Sequence, residues 1–438
     1  MTITYDPKHP KYFDEADIRN EMTRVFDLCH GCRLCFKFCS SFPTLFEMID
    51  RHDDQDAGRL TPAQQDQVVD ECFQCKLCYI NCPYIPELHE WAIDFPRLML
   101  RADAMRHVNG QFSIRSRVTD TVLGHTDRLG KAATTTASAT NKLIGAKQGS
   151  VVRKAMEVVT GVSSVRLLPP YARQRFTTWF KRRPRVRIAK RQGRVAVFPT
   201  CLVEYQQPSI GHDLVKVYER NGIECSLVEG AACCGAPWLH SGDVEQFTKI
   251  AAKNVKALAK SIRRGNDIVV PQPTCGYVLK KDYLDYVGGT DAQLVAENTY
   301  DAAEYLMRVH KADGTTLDTD FHGHVPATVT YHAPCHLKAQ NIGLKSRDLI
   351  KLTGAKVTVV QQCSGIDGMW GLRAENAEIS VTIAEKLADL IRNADGEVIA
   401  GDCHLANTAI TEQTGQEPVH PLQLIARAYA ISEEVPQR

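Results

Sequence analysis

No stretch of the 438-residue chain approaches the roughly 18 uninterrupted apolar residues that a transmembrane helix needs. An excess of one charge is also missing. With 53 basic and 51 acidic residues the net charge is near +2, which argues neither for nor against nucleic acid; none is expected as a partner, because no part of the chain outside 165–194 is strongly basic. The 28 glycines form neither G-x-G-x-x-G nor a Walker-type phosphate loop, so no flavin, nicotinamide or nucleotide fingerprint is encoded. Gly365, Gly368 and Gly371 are spaced three apart, a turn feature and not that fingerprint. Met1 to Asn20 is polar and charged and lacks the apolar core of a signal peptide. The expected location is therefore cytoplasmic, soluble or peripheral at the inner face of the cytoplasmic membrane. Cysteine is what the chain has in quantity. Sixteen in a reducing compartment imply metal or redox work and not staples.

Eight of them lie in the first 82 residues, in two runs of identical spacing. Cys29, Cys32, Cys35 and Cys39 form one run; Cys72, Cys75, Cys78 and Cys82, followed by Pro83, form the other. Both read C-x2-C-x2-C-x3-C, which resembles the ligand pattern of two-cluster bacterial ferredoxins. That resemblance implies two 4Fe–4S clusters, with the first three cysteines of each run on one tight loop and the fourth reaching the other cluster. Cluster one would use Cys29, Cys32, Cys35 and Cys82, and cluster two Cys72, Cys75, Cys78 and Cys39. Zinc closes its sites with C-x2-C pairs or pairs plus histidines and does not need triplets with a distant fourth ligand. Ser40 stands where a proline is usual, beside a ligand and not at one.

The remaining chain divides by texture. An acidic amphipathic stretch from Phe13 to Leu28 opens residues 1–96, the expected helical ferredoxin-type domain. Residues 97–192 read as a helical connector, partly low in complexity between Ala132 and Thr140. Within 165–194 there is no acid, only Arg166, Arg173, Arg175, Lys181, Arg182, Arg183, Arg185, Arg187, Lys190, Arg191 and Arg194. These are interleaved with Leu167, Leu168, Tyr171, Phe176, Trp179 and Phe180, a mixture that suits an anionic membrane surface; the alternative is a solvated linker between domains. From Gly193 onward short β-branched strands alternate with helical stretches, the sign of α/β domains with parallel sheets.

In that half, cysteines recur where strands end. Arg194–Phe198 leads to Cys201, a strand at Ser226–Val228 to Cys233, Cys234 and Gly235, and Asp267–Val270 to Cys275. The scheme repeats about 134 residues further on: Thr328–Tyr331 leads to Cys335, Val357–Val360 to Cys363, and Glu397–Ala400 to Cys403. The carboxyl ends of parallel strands share one edge, so cysteines placed there converge. Two units are expected, 193–320 and 321–438, related by a pseudo-twofold. Cys225, just before a strand, reads as an ordinary buried cysteine.

The order C…CCG…C, given twice after two ferredoxin runs, resembles the cysteine-rich CCG-domain proteins. These include heterodisulfide reductase, glycolate oxidase and lactate-utilisation iron–sulfur subunits. The likeness is strongest to the C subunits of anaerobic glycerol-3-phosphate dehydrogenases. It extends to Val122–Gly130 and to His332-Ala-Pro-Cys-His336. It implies an electron-transfer subunit of a multi-subunit oxidoreductase, fed by a flavoprotein dehydrogenase and passing electrons to a quinone or other acceptor. The alternative is a heterodisulfide-reductase-like catalytic subunit that reduces a disulfide at a CCG cluster.

The full family motif holds five cysteines, and this chain departs from it. Gln272 replaces one cysteine in the first unit, leaving Cys201, Cys233, Cys234 and Cys275, enough for a third 4Fe–4S cluster. The second unit keeps Cys335, Cys363 and Cys403, with Ser364 and Ala406 at the other positions. A cluster there would be labile, or would borrow His336, His404, Ser364 or water. Otherwise the unit is kept for its fold alone, the two histidines bonding backbone at strand ends.

Overall fold

The computed structural model describes residues 4–366 and 369–432. They fall into two compact units. One comprises the chain up to Asp120 together with Gly235–Lys249; the other comprises Thr121–Cys234 and the chain from Ile250 onward.

In the first unit, α1 (Glu15–Cys32) starts at Asp14, whose carboxylate accepts the Asp17 N–H. Ile18, Met22, Val25 and Phe26 recur at helical spacing and are fully buried. The helix outruns the sequence expectation by four residues, so Cys29 and Cys32 sit on its last turn, and only then does Arg33, at φ 53°, break it. There follow α2 (Ser41–Asp50), α3 (Pro62–Asp70), α4 (Leu77–Asn81) and α5 (Phe95–Val108). The second cysteine run is built differently. Cys72 and Cys75 lie in the loop after α3, and Cys78 lies on α4. Equal spacing therefore does not give equal loops. Phe26, Phe42, Leu45, Phe46, Phe95 and Met99 form the core that the cysteines rim.

Short helices come next: α6 (Ile114–Gly124), α7 (Thr126–Thr135), α8 (Ala137–Ile144), α9 (Val151–Thr160) and α10 (Phe176–Arg182). The α/β part then begins with β1 (Gly193–Val197), α11 (Cys201–Tyr205), α12 (Pro208–Arg220) and β2 (Ile223–Leu227). It continues through α13 (Ala236–His240), α14 (Val244–Arg263), β3 (Asp267–Val270), α15 (Pro273–Tyr277) and β4 (Thr299–Asp301). These strands make a parallel sheet of order β2-β1-β3-β4. The last strand, three residues long, carries no readable pattern and was not anticipated. A second parallel sheet, of order β6-β5-β7, contains β5 (Thr328–His332), β6 (Lys356–Val360) and β7 (Val398–Gly401). Val195, Ala196, Val197, Ile268, Val269 and Val270 are all fully buried, the continuous apolar runs of a sheet covered on both faces. Cys225 lies inside β2, opposite Val195, and not ahead of a strand. Its burial is as expected.

The basic run is absorbed into the fold more than its composition suggested. Phe176 is fully buried in the first α/β core, with Trp179 and Phe180 packed beside it, and Trp179 stacks on His212 at 3.9 Å. Arg166 is buried and pairs with Glu412 at 3.0 Å; Arg183 pairs with Glu219. These rings are core and not lipid anchors, which corrects that part of the membrane expectation. Arg173, Lys181, Arg182, Arg185, Arg187, Lys190, Arg191 and Arg194 stay exposed.

Candidate iron–sulfur sites

The eight N-terminal cysteines gather into two groups. Burial, then the Cys35, Cys82 and Cys32 thiols beside it, hold the Cys29 thiol well above its usual range. Burial, with Cys82, Cys32 and Cys39 adding, pushes Cys35 up to about 12. Cys72 is raised by burial and by neighbouring Cys39. Cys78 is raised by burial and by Cys75, Cys72, Cys39 and Cys35. Cys82 thus neighbours Cys29 and Cys35 of the first run, while Cys39 neighbours Cys72 and Cys78 of the second run as well as Cys35 of its own. Thiols that oppose one another's ionisation cannot all become thiolates in a buried site without positive charge among them, and iron supplies it. Among the described residues no three His, Cys, Asp or Glu side chains close tightly enough around one point to hold a lone metal ion.

A lysine joins the second group. Lys76 follows Cys75 with φ 63°, is 3% exposed, and its Nζ donates to Gln74 Oε1 at 2.6 Å. Nothing in the sequence distinguishes it from a solvated lysine in a loop.

In the second unit four thiols arrive from three strand ends. Thr200, at φ 53° and ψ 152°, holds a backbone conformation that a β-branched residue rarely adopts, and so sets Cys201 at the start of α11. Cys233 and Cys234 follow β2, with Gly235 at φ 90° turning the chain into α13. Cys275 is on α15. The Cys201 thiol is hydrogen-bonded to Cys233, and Cys234 to both Cys233 and Cys275; these contacts and burial raise Cys201 and Cys234 well above the usual range.

The loop holding Cys233 is fixed by side chains the sequence did not reveal. Asp127 Oδ2 accepts the Cys233 N–H at 2.7 Å, and Tyr205 Oη donates to Asp127 Oδ1 at 3.2 Å. Asn254 accepts the Ala232 N–H at 2.8 Å and donates to the Cys233 carbonyl at 2.9 Å. Tyr283 Oη donates to the Cys234 carbonyl at 2.9 Å. A polar cavity of about 820 Å³ opens beside Cys201 and Cys233, with Asp127, Lys131, Arg175 and Glu204 in its wall.

This geometry agrees with known families. The cysteine-rich domain model named CCG matches residues 195–280 and again 329–410, and the 4Fe-4S dicluster domain model matches 21–83. The chain carries one 4Fe-4S dicluster domain and two cysteine-rich CCG domains. The C subunit of the anaerobic glycerol-3-phosphate dehydrogenase of Escherichia coli strain K12 is 29% identical over 313 residues, covering 70% of this chain and 76% of that one. The B subunit of the fumarate reductase (CoM/CoB) of Methanothermobacter marburgensis is 29% identical over 249 residues, 54% of this chain and 47% of its own. Lactate utilization protein A of Bacillus pumilus is 26% identical over 224 residues, 48% of this chain and 87% of its own. Each is homologous to this chain.

The second CCG domain brings fewer thiols together. Cys335, at the start of the helix Cys335–Ala339, is drawn down to about 7 by a hydrogen bond from the Cys363 thiol. Gly365 N–H donates to Cys363 Sγ at 3.3 Å. Cys403 takes its contact from the first CCG domain: Gln272 Nε2 donates to Cys403 Sγ at 3.3 Å, and Gln272 Oε1 accepts the His404 N–H at 3.4 Å. The residue standing where the first domain lacks a cysteine thus serves a cysteine of the second. His336 Nδ1 is 3.0 Å from Thr274 Oγ1. His404 is buried, burial draws it down to about 4, and its Nε2 has no hydrogen-bond partner. Ser364 is buried close by in sequence.

Proposed function

We propose that this chain is the iron–sulfur electron-transfer subunit of a multi-subunit oxidoreductase, taking electrons from a flavoprotein dehydrogenase and passing them to a quinone or other acceptor. The observation that carries the reading is the meeting of Cys201, Cys233, Cys234 and Cys275 from three strand ends, on a chain that also has a dicluster domain. Cys29, Cys32, Cys35 and Cys82 would hold one 4Fe–4S cluster, Cys72, Cys75, Cys78 and Cys39 a second, and the four CCG cysteines a third. When bound, these groups carry single electrons. Dehydrogenation of an alcohol or hydroxy acid releases two, so a flavin must divide the pair. In the second CCG domain Cys335, Cys363 and Cys403 supply three thiolates, and His404 Nε2 is the strongest candidate for the fourth position. The shared orders β2-β1-β3 and β6-β5-β7 support a pseudo-twofold between the domains.

The chain would work at a membrane surface. Its domains would follow the boundaries expected above, with the connector as the contact. No helix among the described residues is long and apolar enough to cross a bilayer. However, α9 is inverted: Val151, Val152, Val158 and Val159 are exposed, while Arg153 is buried and donates to the carbonyls of Ile144, Ser163 and Arg166.

Iron analysis after anaerobic purification tests the cluster assignment. About twelve atoms per chain are expected from three clusters. About eight would remove any CCG cluster, and about sixteen would mean that the second CCG domain is filled as well. Cys35→Ser should damage one dicluster signal and Cys39→Ser the other. Damage to the same signal by both would refute the crossed ligation. The polar cavity beside Cys201 and Cys233 favours one competing reading, direct disulfide reduction. Turnover of a small disulfide by the isolated chain would establish that reading in place of ours.

A further inference from the structure

A second cavity touches Cys201, and its chemistry is the opposite of the polar one. It encloses about 210 Å³ and is lined by aliphatic side chains such as Leu123, Leu129, Met156, Leu168 and Leu202. Among the described residues no charged side chain lines it, so charged ligands would pay full desolvation there. Two residues of this wall each carry a buried polar atom without a hydrogen-bond partner, Thr126 at Oγ1 and Gln206 at Oε1. An unsatisfied buried polar atom costs about 1–3 kcal/mol, so two beside one cavity call for a ligand. Tyr205 and Cys201 line this cavity and the polar one alike.

We propose that this cavity is a quinone site: it receives an uncharged ring bearing two oxygens, with an apolar tail leaving past Leu129. The Thr126 hydroxyl can donate to a quinone oxygen, and Gln206 Oε1 can accept from the O–H of the quinol, so the pair serves both redox states. The volume suits a ring and excludes the tail. Leu129 lines the cavity and is also 42% exposed, which marks the opening. Met156 and Thr160 reach the cavity from α9, whose exposed valines face outward from the same helix. A ligand dissolved in lipid would meet the opening where the chain meets lipid. Converting quinone to quinol takes up two electrons, delivered singly, and two protons from solvent. The inference rests on the electron-transfer reading above.

Calorimetric titration of the anaerobically purified full chain with decylubiquinone tests the site. A single site is expected. Thr126→Val and Gln206→Leu should each weaken binding about tenfold, a change worth about 1.4 kcal/mol. Thr126→Ser, which keeps the hydroxyl, should restore it, and iron content equal to that of the parent chain confirms that each variant is folded. Absence of binding overturns the proposal. So does equal binding of decanol with no effect of Thr126→Val, because the cavity would then be only an apolar gap. Oxidation of the dithionite-reduced chain by ferricyanide separates the two levels. If ferricyanide takes no electrons, the electron-transfer reading fails; if it does and decylubiquinone does not bind, only the site is wrong.

Discussion

Lys76 shows what a single side chain can add to a ligand set. A buried ammonium is costly unless negative charge lies near it. Lys76 is buried between Cys75 and Cys78 in sequence, where the four thiolates of a cluster would outweigh the small positive charge of the iron–sulfide core they hold. The cation favours the reduced, more negative state of that centre. Lys76→Met keeps the stem and removes the charge, so the potential should fall by about 50–100 mV, or about 1–2 kcal/mol. An EPR-monitored redox titration measures this, and an unchanged potential would deny Lys76 the role. The cysteines themselves were legible because ligand spacing is local and survives without knowledge of the fold. Lys76, and the contacts made by Asp127 and Gln272, were not. Asp127 reaches Cys233 across 106 positions and Gln272 reaches Cys403 across 131, and no local pattern encodes such contacts. Gln272 was visible only as a missing cysteine; its amide turned out to serve another domain's sulfur.

At the scale of elements, close approach between helices sets the CCG loop. A Cβ at Gly130 on α7 would lie 2.4 Å from the Tyr205 ring on α11. Tyr205 in turn holds Asp127, which holds Cys233. Gly130→Ala should therefore overpack this contact and destabilise by about 1–3 kcal/mol. Anaerobic urea unfolding measures this, and a midpoint equal to that of the parent chain would contradict the packing argument. The strands ahead of the cysteines were readable within one to three residues, because buried parallel strands are runs of Val, Ile and Ala. Strand β4 was not, since three residues give periodicity nothing to act on.

The helix Pro421–Ala428 carries a second element-scale device. His420 caps it, Nδ1 accepting the Leu422 N–H and the backbone N–H donating to Gln423 Oε1. Burial draws His420 down to about 3, the Pro271 carbonyl opposes this, and the nearby His404 ring adds to it. Its folded value is depressed below the unfolded 6.5, so the unfolded chain takes up a proton that the folded chain refuses. The contribution to stability is complete above about pH 6.5 and is lost as pH falls toward 3, at about 1.4 kcal/mol per pH unit for this one group. His420→Asn keeps a capping acceptor and does not titrate. Urea midpoints between about pH 7 and pH 4.5 should fall less steeply in the variant, and parallel curves would rule His420 out.

Across the second unit, exposed large apolar side chains concentrate along one stretch of the chain. Of the large apolar side chains exposed among the described residues, Leu129, Leu143, Val151, Val152, Val158, Val159 and Val165 fall within 37 consecutive positions of the second unit. On α9 the exposed valines are spaced as a core-facing stripe would be, yet the face turned inward carries Arg153. Lys131, Lys142, Lys147 and Lys154 are exposed in the same stretch, where Glu157 is the only acid. Its carboxylate accepts the Ser164 N–H. Exposed apolar side chains interspersed with exposed lysines fit an anionic bilayer, with about 1 kcal/mol from each lysine near the surface and more from each valine that enters. Such a contact would belong to the connector helices, and not to the aromatic rings of residues 176–180, which the core has taken. A double variant Val158→Asp, Val159→Asp should sediment with phosphatidylglycerol vesicles at least tenfold less than the parent chain at low salt, a loss of about 1.4 kcal/mol or more. Salt should weaken the parent only in part, because the apolar share of the contact is not screened. If the parent chain fails to sediment, or the double variant sediments equally well, the inverted helix does not meet lipid and its apolar face must be covered by a partner subunit.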